Sequence, residues 1–259
     1  MFNYLPLFAG ATVSVAGLAG IYYATYSVRS QLLGPTIWQG RTDTGSVALT
    51  FDDGPSDDTL RILDTLAEYE INATFFVVGR QVERYPHLAR RIVADGHEIG
   101  NHSYSHPIFL YRGARETRRQ LELTQQIIFD ATGVKAEVAR PPCGVRTPAY
   151  FAAAKDLELR TIQWSVAGVD WKQQSSTQIA EQVLKDTNAG SIILLHDGDS
   201  ELRNDRRATV EALPLIFRGL KSRNLNIAPL RQLWPEVSVR ATAMRETKPT
   251  LARSNQHES

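Results

Sequence analysis

A second cysteine is missing: Cys143 stands alone in 259 residues, so no intrachain disulfide can staple the fold. An excess of either charge is missing too, with 29 basic against 28 acidic residues and a formal net charge of +1. That balance leaves no electrostatic footprint for a polyanion, and nucleic acid is not an expected partner. Internal repeats and low-complexity tracts are absent, which leaves a single α/β barrel as a comfortable use of this length. Charged side chains are absent altogether from Met1 to Val28.

That uncharged start is long enough, over residues 5–26, to cross a bilayer as a helix, with Tyr22, Tyr23 and Tyr26 at the interface. A membrane anchor over residues 1–28 is therefore expected. A cleaved signal peptide is the rival, since Gly17-Leu18-Ala19 offers small residues, but the positive n-region is missing. A buried core helix is a third reading, weakened by the lack of a polar face. Arg29 and Arg41 follow the segment and favour keeping that side in the cytoplasm, whereas the chemistry below favours a substrate outside. A single-pass anchor with the catalytic domain outside the cytoplasm, or secretion after cleavage, is the resulting expectation.

A linker over residues 29–41 carries Gly34-Pro35 and Gly40, a domain spans 42–236, and a polar tail without apolar periodicity fills 237–259. The whole chain is 42% hydrophobic, enough for a real core, and its four tryptophans and nine tyrosines suit a core or a carbohydrate cleft. Val47, Leu49 and Phe51 alternate as a strand that ends at Asp52-Asp53-Gly54-Pro55. Ile62, Leu63, Leu66 and Tyr69 then recur at helical spacing, with Asp57 or Asp58 as N-cap. Strands are expected at 73–78, 97–100, 137–140, 160–164, 191–195 and 225–229. Helices are expected at 88–96, 114–131, 149–156, 177–187 and 207–222. This alternation implies a mainly parallel sheet, and wound into a barrel it would gather its active site at the C-terminal strand ends.

Five strand ends deliver titratable groups to that rim: Asp52-Asp53, His102 with His106, Arg140, Asp170 and His196. His102 and His106 are four apart, so a helical turn would let both rings grip one ion. One carboxylate from Asp52-Asp53 would complete a two-histidine, one-carboxylate divalent metal site, leaving the other to take a proton. Neighbouring side chains of a strand point apart, and a turn at Gly54-Pro55 would let the two aspartates diverge. His196 is suited to be a general acid, Asp170 to fix its tautomer, and Arg140 to keep the proton-abstracting aspartate ionised. His87 and His97 read as structural.

Residues 46–236 closely resemble the NodB-homology polysaccharide deacetylases, carbohydrate esterase family 4. The resemblance rests on ordered motifs: Thr50-Phe51-Asp52-Asp53-Gly54-Pro55, His102-Ser103-Tyr104-Ser105-His106, Arg140-Pro141-Pro142-Cys143-Gly144, Asp170-Trp171 and Leu194-Leu195-His196. It implies a distorted (β/α) barrel that removes acetyl groups from glycans containing N-acetylglucosamine or N-acetylmuramic acid, peptidoglycan or chitin oligosaccharides among them. It implies Asp52 as base, Asp53, His102 and His106 as metal ligands, Arg140 orienting the base and Asp170 tuning the acid His196. Trp171 and Leu194 match residues that wall the acetyl pocket. The metal it implies is zinc, with cobalt or nickel also used. Cys143 departs from the family, which often has an aromatic residue there whose backbone N–H helps hold the oxyanion; a backbone donor survives the change, but the grip on the sugar is altered. No obligate protein partner is implied. A small amide or cyclic imide as substrate, and an inactive membrane-tethered glycan-binding protein, are the alternatives.

Overall fold

The computed structural model describes residues 17–234 apart from residue 202. The span expected over residues 5–26 begins outside the described residues, and the tail over 237–259 lies outside them entirely. Among the described residues no helix is long and apolar enough to cross a membrane.

In chain order, helix α1 covers residues 17–26, followed by β1 (Ser46–Asp52), α2 (Asp57–Glu68), β2 (Thr74–Val77), α3 (Gly79–Arg84), α4 (Pro86–Ala94) and β3 (Glu98–Asn101). The second half adds α5 (Ala114–Thr132), β4 (Val138–Ala139), α6 (Pro148–Asp156), β5 (Arg160–Thr161), β6 (Val166–Ala167), α7 (Ser176–Asp186), β7 (Ile192–His196), α8 (Arg207–Ser222) and β8 (Asn226–Ile227). The named strands of the described residues all pair parallel, in the order β5-β4-β3-β2-β1-β7-β6, with β8 beside the start of β1. The curled sheet and its surrounding helices form the distorted (β/α) barrel.

Strand parity sorts the core into two layers. Val47, Leu49, Phe51, Phe75, Val77, Ile193 and Leu195 pack in one cluster with helix residues such as Ile62, Ile92, Leu121 and Leu213. The alternate positions Ala48, Phe76, Val138 and Ile192 belong to a second cluster with Ile162, Leu230 and Leu233. Because side chains alternate with a period of 2, Thr50, Asp52 and His196 share the parity of that second cluster. Residues 37–39 contribute two bridges, Ile37 parallel to Ile162 and Gln39 antiparallel to Ser191.

Local chemistry explains the boundaries. Ser56, one residue before the expected aspartates, is the N-cap of α2: its Oγ accepts from Asp58 N, and Thr59 Oγ1 accepts from Ser56 N. Helix α5 ends on Gly133 at φ 76°, a left-handed cap. Helix α3 and strand β6 were not expected, because six and two residues are too short to show a period. His97 is structural: its buried Nδ1 accepts from Ala73 N at 3.2 Å.

Candidate active site

The loops that leave the strand ends hold unusual backbone. Eight non-glycine residues have positive φ among the described residues, and Asp53, Ser103, His106, Cys143 and Val169 among them all lie on these loops. For a β-branched valine at φ 56° this conformation is strained, at a cost on the order of 1–3 kcal/mol. Hydrogen bonds fix the other positive-φ bend, at Ser103 and His106: Asn101 Oδ1 accepts from Ser103 N at 3.0 Å, and Ser103 Oγ accepts from His106 N at 3.1 Å.

Two sequence expectations need correction here. His102 and His106 do not sit on a helical turn; residues 102–107 form a bend with positive φ at Ser103 and His106, and that bend brings the two ring centroids to 5.0 Å. Asp52 and Asp53 do not diverge to opposite faces either. Asp53 has left the strand at φ 75°, which swings its carboxylate back to the side that Asp52 faces.

Asp53 Oδ1 lies 3.5 Å from His102 Nε2 and 3.2 Å from His106 Nε2. These three residues offer ligand atoms within 4.8 Å of one another. His102 Nδ1 is 2.7 Å from Arg140 O, so it carries the proton and leaves Nε2 free toward Asp53. Burial, then the neighbouring His106, push His102 down to about 3, which keeps the ring neutral as a ligand must be. Asp53 Oδ1 is buried without a hydrogen-bond partner. A tetrahedron with bonds of about 2.0 Å has edges of about 3.3 Å, so the donor separations fit a small divalent cation, and two nitrogens with one oxygen suit zinc, cobalt or nickel.

Asp52 ends β1 beside this set. Its Oδ1 accepts from Arg140 Nη1 at 2.7 Å and its Oδ2 lies 3.7 Å from His102 Nε2. Burial pushes the Asp52 carboxyl up, and Arg140, then His196, oppose it without cancelling it. Arg140 is 0% exposed. It also donates to Thr50 Oγ1 at 2.8 Å and Gln163 O at 3.0 Å, and its guanidinium lies 4.1 Å over the Phe76 ring.

Asp170, in the loop after β6, accepts three hydrogen bonds: His196 Nδ1 at 2.8 Å on Oδ1, and His196 N at 2.8 Å and Thr209 Oγ1 at 2.9 Å on Oδ2. Burial opposes the charge of Asp170, but His196 holds it below the usual carboxylate range. Burial likewise opposes the charge of His196, but Asp170, then Asp53 and Asp52, push it up to about 9. Trp171, 45% exposed, stands edge-on to His196 with centroids 5.4 Å apart. Leu194 is buried on β7, opposite Thr50. Cys143 sits in a turn over Pro142–Gly144 at φ 54°, and burial, then Asp53 and Asp52, push its thiol up, away from the thiolate a nucleophile needs.

Three supporting residues escaped the sequence reading. Thr209 comes from α8, far along the chain from Asp170. Gln163 joins the arginine to the third-motif turn, since its Nε2 donates to Gly144 O at 3.1 Å. Asp197, fully buried, accepts from Gly54 N at 3.1 Å and Thr59 Oγ1 at 2.6 Å, clamping the turn that carries Asp53. Only the adjacency of Asp197 to His196 could have flagged it.

Comparison with known proteins finds polysaccharide deacetylases similar in sequence and in fold. The family model for polysaccharide deacetylase matches residues 39–162. A peptidoglycan-N-acetylglucosamine deacetylase of Bacillus cereus is 35% identical over 198 residues, 76% of this chain and 71% of that protein. A chitooligosaccharide deacetylase of Sinorhizobium fredii is 38% identical over 205 residues, 76% of this chain and 95% of that one. The solved structure of the Bc1960 peptidoglycan N-acetylglucosamine deacetylase superposes with a TM-score of 0.72 at 34% identity, covering 77% of this chain and 92% of that one. A family pseudoenzyme of Bacillus anthracis superposes with a TM-score of 0.71 at 30% identity, covering 78% of this chain and 69% of that one.

Proposed function

The chain belongs to the polysaccharide deacetylase family, carbohydrate esterase family 4, and on that premise we propose that it hydrolyses N-acetyl groups of N-acetylglucosamine- or N-acetylmuramic-acid-containing glycans, peptidoglycan or chitin oligosaccharides, with a divalent metal held by Asp53, His102 and His106. The observation that carries the metal reading is Asp53 Oδ1, buried and unpartnered between two imidazole nitrogens. When bound, a divalent cation there supplies Lewis-acid polarisation of the amide carbonyl and the attacking water. Zinc is the proposed metal, with cobalt or nickel as substitutes.

Asp52 takes the proton of the attacking water. Arg140 keeps that carboxylate oriented and favours its ionised form after burial has raised its basicity, which suits a base working near neutral pH. His196, protonated because Asp170 pairs with it, gives its proton to the departing sugar amine. By the family resemblance, the Cys143 backbone N–H would help hold the oxyanion, and Trp171 with Leu194 would wall the space for the acetyl methyl. An inactive glycan-binding role is disfavoured, since Asp52, Arg140, Asp170 and His196 are all present and hydrogen-bonded to one another in pairs. A tether through the uncharged N-terminal segment, with the domain outside the cytoplasm, would place it beside a cell-wall glycan.

The test is acetate release by the metal-stripped full chain, reloaded with zinc or cobalt and offered peptidoglycan and chitin oligomers. Metal-dependent acetate abolished by Asp52→Asn and by His196→Ala is the expected result. Metal binding without acetate from either polymer would overturn the glycan assignment and favour a small amide.

A further inference from the structure

Helix α1 and the third-motif turn share one buried arginine. Arg146 is 1% exposed. Its backbone N–H donates to Thr25 O at 3.2 Å, its Nη1 to Val28 O at 3.4 Å, and its Nη2 to Ala24 O and Thr25 O, each at 3.4 Å, and to Ser27 O. These carbonyls close the C-terminal end of α1, where intrahelical donors run out and the helix dipole favours a cation. Among the described residues no carboxylate pairs with Arg146, and burial lowers its pKa. A buried cation answered by carbonyls alone becomes expensive once the carbonyls move away.

At its other end Arg146 lies three residues beyond Cys143. The intervening Gly144 O accepts from Gln163 Nε2, and Gln163 O accepts from Arg140 Nη2. Arg140, Gln163, Gly144, Arg146 and the end of α1 therefore form one connected path from the base-orienting guanidinium to the N-terminal helix.

We infer that α1, docked through Arg146, is a positioning element for the Cys143–Gly144 turn, so that turnover depends on a helix that carries no catalytic group. This rests on the deacetylase reading of the site. It also makes any truncation before residue 29 a perturbation of the active site, because it would strip Arg146 of its acceptors.

The experiment is a double-substitution cycle in the full chain, pairing Arg146→Met with Ala24→Pro, which breaks the last turn of α1. Expected is a fall in kcat of roughly tenfold for each, less than the loss of about 10²–10³ on removing an oxyanion donor outright because the donor is displaced and not lost, with KM and metal affinity little changed. The double variant falls no further than the weaker single one, and Arg146→Lys recovers part of the loss. Amide hydrogen exchange at residues 143–146 accelerates in both single variants. That arm needs no substrate, so it stands even where wild-type protein releases no acetate. Unchanged kcat in Arg146→Met beside a lowered melting temperature, multiplicative losses in the double variant, or unchanged exchange would each overturn the inference. Where Arg146→Met does not fold, Ala24→Pro carries the same readouts alone.

Discussion

Asp52 and His196 are Cα partners across the parallel β1–β7 ladder, the last residue of each strand facing the other. Register thus places the proposed base and acid on neighbouring strands with the same parity. Each is held by its own partner, Arg140 at 2.7 Å and Asp170 at 2.8 Å.

Asp52→Asn should lower kcat by about 10²–10⁴, the usual worth of a positioned proton acceptor, while metal affinity by titration calorimetry stays unchanged. It also leaves Arg140 buried without its anion, so the folded state should lose about 3 kcal/mol in urea titration. Full activity in Asp52→Asn would reject Asp52 as the base.

The His196–Asp170 pair predicts a pH signature. His196 at about 9 stands above its unfolded value of about 6.5. The pair's stabilisation through His196 is therefore complete below about pH 6.5 and lost as pH rises through about 9, a matter of roughly 3 kcal/mol. Asp170, depressed, contributes above its unfolded value of about 3.9 and loses that contribution as pH falls through its lower folded value. Asp170→Asn should move the alkaline limb of kcat/KM to lower pH, with Thr209→Val giving a smaller shift in the same direction. An unmoved alkaline limb in Asp170→Asn would exclude His196 as the acid.

Removing a donor should weaken the metal site before it weakens the fold. His106→Ala should raise the zinc dissociation constant at least about tenfold, since even outer-shell partners of a metal site are worth 10–100-fold. Chelation of wild-type protein should lower its melting temperature; a metal at 100 times its dissociation constant contributes about 2.7 kcal/mol. A chelator that leaves both melting temperature and acetate release untouched would refute the site.

Gly198→Ala should act on Asp53 from outside the site. An added Cβ would lie 2.8 Å from Asp53 O, 3.0 Å from Asp53 C and 3.0 Å from Gly54 Cα, all backbone that no rotamer change can clear. The turn must shift, so zinc affinity should fall several-fold, a decrement read by competition with a chromogenic chelator. An unchanged affinity would show that the Asp53 turn tolerates displacement.

The barrel was legible because its long buried strands and amphipathic helices carry their periods openly: Val47, Leu49 and Phe51 on one face, Ile62, Leu63 and Leu66 on one stripe. The ordered motifs were legible because chemistry-bearing residues cluster where apolar strands stop. Helix α3, strand β6 and the bend at His102 to His106 were not, since short elements and left-handed residues leave no periodic trace.

Sequence by itself determined which groups reach the rim, since strand length and the period of 2 decide what stands at a strand's end. It also carried the family, through Asp52-Asp53, His102, Arg140, Asp170 and His196 in order. Tertiary structure alone decided how those groups meet. The left-handed turn at Asp53, the clamp of Asp197 on Gly54, the reach of Thr209 to Asp170 and the docking of α1 on Arg146 each join residues far apart in the chain. Such contacts arise from packing and buried hydrogen bonding, whose partners no local pattern names.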